Sequence, residues 1–121
     1  MSQTVMIVDD ALFIRTVLRG MLEELGYRVI AEAGSGLEAQ RQLHKAAPDL
    51  IFLDIILPDA NGIELLEDIH HSLPDSSVII CSSISQDQTV QKALHHGAAA
   101  YLQKPFTKES VVALLRQLKA S

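Results

Sequence analysis

Cys81 is the chain's single cysteine, so no internal disulfide can form and a stapled secreted domain is excluded. Uninterrupted apolar runs stop at about five residues, far short of the ~18–20 that a membrane span needs. The N-terminus, MSQTVMIVDD, has no basic stretch ahead of a long apolar one, which argues against a signal peptide. Basic side chains are outnumbered, 10 against 15 acidic, and the net charge of −5 disfavours non-specific nucleic-acid binding. No Walker-type loop is present. Gly34-Ser35-Gly36 is too short for a dinucleotide fingerprint and follows the wrong strand. Repeats, low-complexity segments and linkers are lacking as well. What the chain does have is apolar material, 48% of 121 residues. That suffices for a core that buries roughly two-thirds of the unfolded surface. The expectation is one soluble cytoplasmic domain over residues 1–121.

Two hydrophobic periods alternate along the chain. Short apolar runs predict strands at Val5 to Val8, Val29 to Ala33, Leu50 to Leu53, Val78 to Cys81 and Ala99 to Leu102. Between them, helical spacing appears in Ile14, Val17, Leu18, Met21, Leu22 and Leu25, with Arg15, Arg19, Glu23 and Glu24 mostly on the other face. Weaker helices are predicted over Leu37 to Ala47, around Ile63 to Ile69, and from Gln88 to His96. Gly26 and Gly97 are placed to end helices, and Thr107 to cap a last one carrying Val111, Leu114, Leu115 and Leu118. Five alternations with short connections imply a small α/β fold, a parallel five-stranded sheet doubly wound by helices.

Position then singles out a few residues. Asp9 and Asp10 follow the first strand, Asp54 the third, Ser82 the fourth and Lys104 the fifth. These are carboxyl ends, where open α/β sheets bind ligands. If strands one and three are neighbours, three carboxylates converge there and require a counter-charge. An all-oxygen cluster suits Mg²⁺ better than zinc. Lys104 and Ser82 add a cation and a hydroxyl suited to a phosphoryl group. Plainer roles exist for each residue: Asp10 as a helix cap, Asp54 in a turn, Ser82 at a strand end, Lys104 in solvent. None of them explains why all collect at one edge. The pairs His70-His71 and His95-His96 have the wrong spacing for zinc. Cys81 reads as an inert buried thiol.

The segments IVDDALFIR (7–15), LDIILPDANG (53–62), VIICSS (78–83) and GAAAYLQKPF (97–106) resemble the receiver domain of bacterial two-component response regulators, the CheY-like ones above all. The resemblance spans essentially the whole chain and implies the flavodoxin-like strand order 2-1-3-4-5. It implies that Asp54 accepts a phosphoryl group and that Asp10, Asp54 and the Ile56 carbonyl bind Mg²⁺, Asp9 acting through a water. Lys104, the Ser82 hydroxyl and the Ser83 backbone N–H would contact phosphoryl oxygens. Tyr101 would turn inward after Ser82 moves, and Pro105 would follow a cis peptide. By the same alignment, Ile56 and Ile84 flank the approach of a hydrolytic water and set the phosphoryl lifetime. The implied partners are a histidine kinase or phosphotransfer protein and a downstream protein at the face of helix 4, strand 5 and helix 5, in a chemotaxis-like pathway. No direct nucleic-acid partner or membrane insertion is implied. A monomer is expected, with a dimer as the variant.

Three rival functions define what must be tested. A phosphatase of the haloacid dehalogenase type would need an acid two positions after its nucleophile, where Ile56 stands. Turnover of an external substrate is therefore not expected. A degenerate interaction module would not need the full set Asp9, Asp10, Asp54, Ser82 and Lys104. Lastly, the chain ends directly after its final helix. That suits a stand-alone regulator, although a receiver cut from a longer DNA-binding or enzymatic regulator would end alike.

Overall fold

The computed structural model describes residues 3–83 and 87–120; Ile84 therefore lies outside the described residues. The strands are β1 (Thr4–Val8), β2 (Arg28–Ala33), β3 (Leu50–Asp54), β4 (Ser77–Ser82) and β5 (Ala100–Gln103). They alternate with α1 (Leu12–Glu24), α2 (Gly36–Ala46), α3 (Gly62–Ser72), α4 (Asp87–His95) and α5 (Lys108–Ala120). All pairings are parallel, in the order β2-β1-β3-β4-β5. Fold class and strand order are those expected from the sequence. None of the helices is long and apolar enough to cross a membrane, among the described residues.

Strand geometry divides the core in two. Successive side chains point to opposite faces of a strand. Met6, Val8, Ile51, Leu53, Val78 and Ile80 thus meet Leu43 of α2, Ile63, Leu66 and Ile69 of α3 and Ala93 of α4. Their neighbours Val5, Ile7, Leu50, Phe52, Ile79 and Cys81 meet Leu18 and Leu22 of α1 and Val111, Leu114 and Leu115 of α5. Both faces being covered, the inner strands have no polar side: β3 is buried at all five positions. Truncating a side chain like Phe52, which is 1% exposed, costs about 3–5 kcal/mol.

The ends of the elements follow local chemistry. Gly26 and Gly97 take left-handed φ values of 92° and 107° after α1 and α4. In each case the glycine's own N–H and the one after it turn back onto the helix's last carbonyls: Gly26 to Glu23 and Tyr27 to Leu22, Gly97 to Leu94 and Ala98 to Ala93. Thr107 and Ser110 cap α5 reciprocally, each side-chain oxygen accepting the other's backbone N–H at 3.1 and 2.9 Å. Most boundaries lie within a residue of the expected ones. β5 begins at Ala100 and not at Ala99, because Ala100 is the first residue in register with β4.

Register places the site. Val8 pairs with Leu53, so Asp9 and Asp54 emerge side by side from neighbouring strands. Asp54 pairs with Cys81 and Ser82 with Gln103, which brings Ser82 and Lys104 to the same edge.

Candidate functional site

Carboxylate oxygens of Asp9, Asp10 and Asp54 all lie within 4.8 Å of one another. Asp9 is buried at 3% exposure, Asp54 at 7%, while Asp10 faces solvent. One cation holds the two buried acids: Lys104 Nζ donates to Asp9 Oδ2 at 2.5 Å and to Asp54 Oδ2 at 3.0 Å. The remaining oxygens take backbone donors. Asp9 Oδ1 accepts the Ala11 N–H at 2.9 Å, and Asp54 Oδ1 accepts the Ile56 N–H at 3.1 Å.

Protonation follows from these contacts. Burial pushes the Asp54 carboxyl above its ordinary range; Lys104 and the Ile56 N–H pull it back only in part, and Asp9 adds repulsion. For Lys104, burial works against the charge, but hydrogen bonds to Asp9 and Asp54 outweigh it and the ammonium is held more firmly than usual. The two shifts are not mirror images. An isolated ion pair would lower the acid as it raised the base, so the rise at Asp54 marks a carboxylate short of positive charge. A hard divalent cation fits that need: the donors are all oxygen, and the exposed Asp10 leaves one side open to water.

The other expected residues gather around this centre. Ser82 is buried at the end of β4, and its carbonyl accepts the Lys104 N–H at 2.9 Å. The same carbonyl accepts the Tyr101 hydroxyl at 3.1 Å, so Tyr101 and Lys104 are both tied to Ser82. Ser83 follows as an exposed bend. The Lys104–Pro105 peptide is cis. The Ile56 side chain, 58% exposed, turns outward while its N–H turns toward Asp54.

One plainer alternative and one expectation fail. Asp10 does not cap α1, which starts at Leu12 behind Ala11 and carries no side-chain cap. Arg15 is not on the solvent face of α1: its side chain is only 16% exposed and its guanidinium reaches the Asp9 carbonyl. The turn role for Asp54 does hold, since its bond to the N–H two residues on is an Asx turn, and it coexists with the site. Away from the edge, His96 Nδ1 meets Glu67 at 2.6 Å, and burial raises the Cys81 thiol's pKa strongly.

Sequence reasoning passed over Asp59. From the loop after β3 its two carboxylate oxygens accept the N–H groups of Gly36 and Leu37, at 2.7 and 3.1 Å, at the start of α2. The same loop closes tightly behind Asp54. A Cβ at Gly62 would lie 2.6 Å from the Asp54 carbonyl oxygen and 2.5 Å from the Ile55 Cα, so only glycine fits.

Known proteins resemble this chain in sequence and in fold. The family model of the response regulator receiver domain matches residues 5–116. The chemotaxis protein CheY of Thermotoga maritima is 36% identical over 118 residues, 98% of each chain. That of Halobacterium salinarum is 38% identical over 112 residues, 93% of this chain and 92% of the other. Among solved structures, a chain of the CheX-CheY-BeF3-Mg²⁺ complex from Borrelia burgdorferi superposes with a TM-score of 0.90 at 27% identity, over 98% of this chain and 90% of that one.

Proposed function

The chain belongs to the response regulator receiver family, and from that premise we propose that Asp54 accepts a phosphoryl group from a phosphohistidine and so switches the binding of a downstream protein. The observation that carries this reading is the setting of Asp54. It is a buried carboxylate at a strand end, short of positive charge, with one lysine on it and two further acids within 4.8 Å.

In the step itself a carboxylate oxygen of Asp54 attacks phosphorus as the P–N bond to the donor imidazole breaks. The electron pair leaves with that nitrogen, which takes up a proton. Lys104 and the Ile56 N–H hold the Asp54 carboxylate and aim it. Mg²⁺ held by Asp10, Asp54 and the Ile56 carbonyl, with Asp9 acting through a water, would supply charge neutralisation for the phosphoryl oxygens. As charge builds up, Lys104 exchanges its carboxylate partners for phosphoryl oxygens, and the Ser82 hydroxyl and Ser83 N–H take up others. Phosphoryl transfer is mainly a matter of positioning and electrostatics, so the receiver provides much of the catalysis for its own modification.

The switch runs through Ser82. Its carbonyl holds the Tyr101 hydroxyl, so a movement of Ser82 toward the phosphoryl group frees or redirects Tyr101 and alters the face of α4, β5 and α5. A histidine kinase or phosphotransfer protein is the donor, and a protein docking on that face is the target. Ile56, where a hydrolase would need a second acid, supports a signalling role without external turnover. Incubation with acetyl phosphate and Mg²⁺ tests the reading: wild type should take up one phosphoryl group and Asp54→Asn none. Equal labelling of both proteins would overturn it.

A further inference from the structure

Asp10 poses a question that its own contacts do not answer. Its carboxylate completes the acidic trio, yet among the described residues none donates a hydrogen bond to it or pairs with it. The backbone before it must therefore aim it. Three bonds fix that backbone: the Asp9 N–H donates to the Ala33 carbonyl at 3.0 Å, the Ala11 N–H donates to Asp9 Oδ1 at 2.9 Å, and Arg15 donates through Nη1 to the Asp9 carbonyl at 2.5 Å. The last bond reaches in from α1 and grips the peptide group that joins Asp9 to Asp10.

Arg15 is itself held. Its Nε donates to Glu32 Oε1 at 3.1 Å, and Glu32 also accepts Arg19 through Oε2 at 2.6 Å. Glu32 is fixed in turn on β2, its carbonyl accepting the Gln42 side chain at 2.9 Å. Gly34 leaves the space that the guanidinium fills, since a Cβ there would lie 3.1 Å from Nη1. So restrained, Arg15 has Glu32 as its acidic partner, while among the described residues Lys104 alone pairs with Asp9 and Asp54.

We propose that Arg15 is a positioning residue for the acidic site: clamped by Glu32, it fixes the Asp9–Asp10 peptide and so aims Asp10 at Mg²⁺ without occupying a carboxylate itself. This inference rests on the proposed reading of the trio as a Mg²⁺ site. It makes a prediction opposite in sign to simple electrostatics. Removing a positive charge near an acidic cluster should strengthen the binding of a divalent cation. Loss of a positioning bond should weaken it, by roughly ten- to a hundredfold where such partners of metal ligands have been removed.

Calorimetric titration of the metal-free protein with Mg²⁺ decides between the two, with thermal unfolding recorded for every variant. Arg15→Gln should bind Mg²⁺ about tenfold more weakly. Glu32→Gln, which keeps the arginine but releases it toward the acids, should weaken binding as well. Arg15→Lys keeps the charge but cannot span Glu32 and the Asp9 carbonyl together, and should recover only part of the loss. In acetyl phosphate labelling, Arg15→Gln should raise the Mg²⁺ concentration at half-maximal rate and leave the rate at saturating Mg²⁺ nearly unchanged. A general loss of fold would not produce that split. Unchanged or tighter Mg²⁺ binding by Arg15→Gln overturns the positioning role and leaves the reading of the site intact. Should Arg15→Gln not fold, wild-type affinity in Glu32→Gln overturns it equally. Wild type that binds no Mg²⁺ overturns both the role and the reading.

Discussion

Ile56 does unlike work at its two ends. Its N–H donates to Asp54 and fixes the proposed acceptor, a role open to any residue but proline. Its side chain is more than half exposed, two residues after Asp54. Hydrolysis of a phosphoaspartate needs a water in line behind phosphorus. A branched apolar side chain can exclude that water but cannot orient it. Replacing Ile56 by Asn adds a donor and an acceptor and leaves the backbone contact in place. Loss of phosphoryl label after removal of the donor, in excess Mg²⁺, should then become several-fold faster, with uptake preserved. Decay of Ile56→Asn no faster than wild type would show that water is controlled elsewhere. Single residues were also where sequence reasoning fell short. Arg15 occurs at a spacing that assigns it to the solvent face of a helix, and a long side chain can bend back from there toward a backbone carbonyl that no periodicity reports.

At the scale of elements, the loop between β3 and α3 is tied at three points. The Gly62 N–H donates to the Ile55 carbonyl at 2.7 Å, Ile56 bridges to Asn61, and Asp59 holds the first N–H groups of α2. Asp59 thus acts as a helix cap supplied by another element, and the loop carrying the proposed metal-ligand carbonyl is anchored to α2. Its contacts with the Gly36 and Leu37 N–H groups hold the Asp59 carboxyl below its usual range, although the side chain is exposed. A carboxyl with a depressed folded pKa contributes stability above its unfolded value, about 3.9, and loses it as pH falls through the folded value. The difference in unfolding temperature between wild type and Asp59→Asn, both metal-free, should therefore favour wild type at neutral pH and shrink toward zero in acid. A difference that does not change with pH would mean that the charge of Asp59 plays no part. The elements themselves were legible because strands covered on both faces admit no polar side chain and helices show their period. A cap lent by a distant loop has no signature in the helix that it caps.

For the whole molecule, five short apolar runs separated by helical segments leave little choice but a parallel sheet with two covered faces. The split of strand residues between two cores confirms that pattern residue by residue. The site followed from topology: once β1 and β3 are neighbours, residues just beyond their ends must meet, and Asp9, Asp10 and Asp54 do. What topology does not convey is how the cluster is balanced. Among the described residues Lys104 alone bridges the two buried acids, Asp54 stays short of positive charge, and Arg15 pairs with Glu32 and with none of the three. The central claim is that this arrangement makes Asp54 the phosphoryl acceptor. An acyl phosphate, unlike a phosphoester or phosphoamidate, is reduced by borohydride to the alcohol, which converts a phosphorylated aspartate to homoserine. The decisive measurement is therefore peptide sequencing by mass spectrometry after treatment with acetyl phosphate and Mg²⁺, then borohydride. The account predicts homoserine at position 54 and nowhere else. Homoserine at position 9 or 10, or a labelled protein with none at 54, would contradict it.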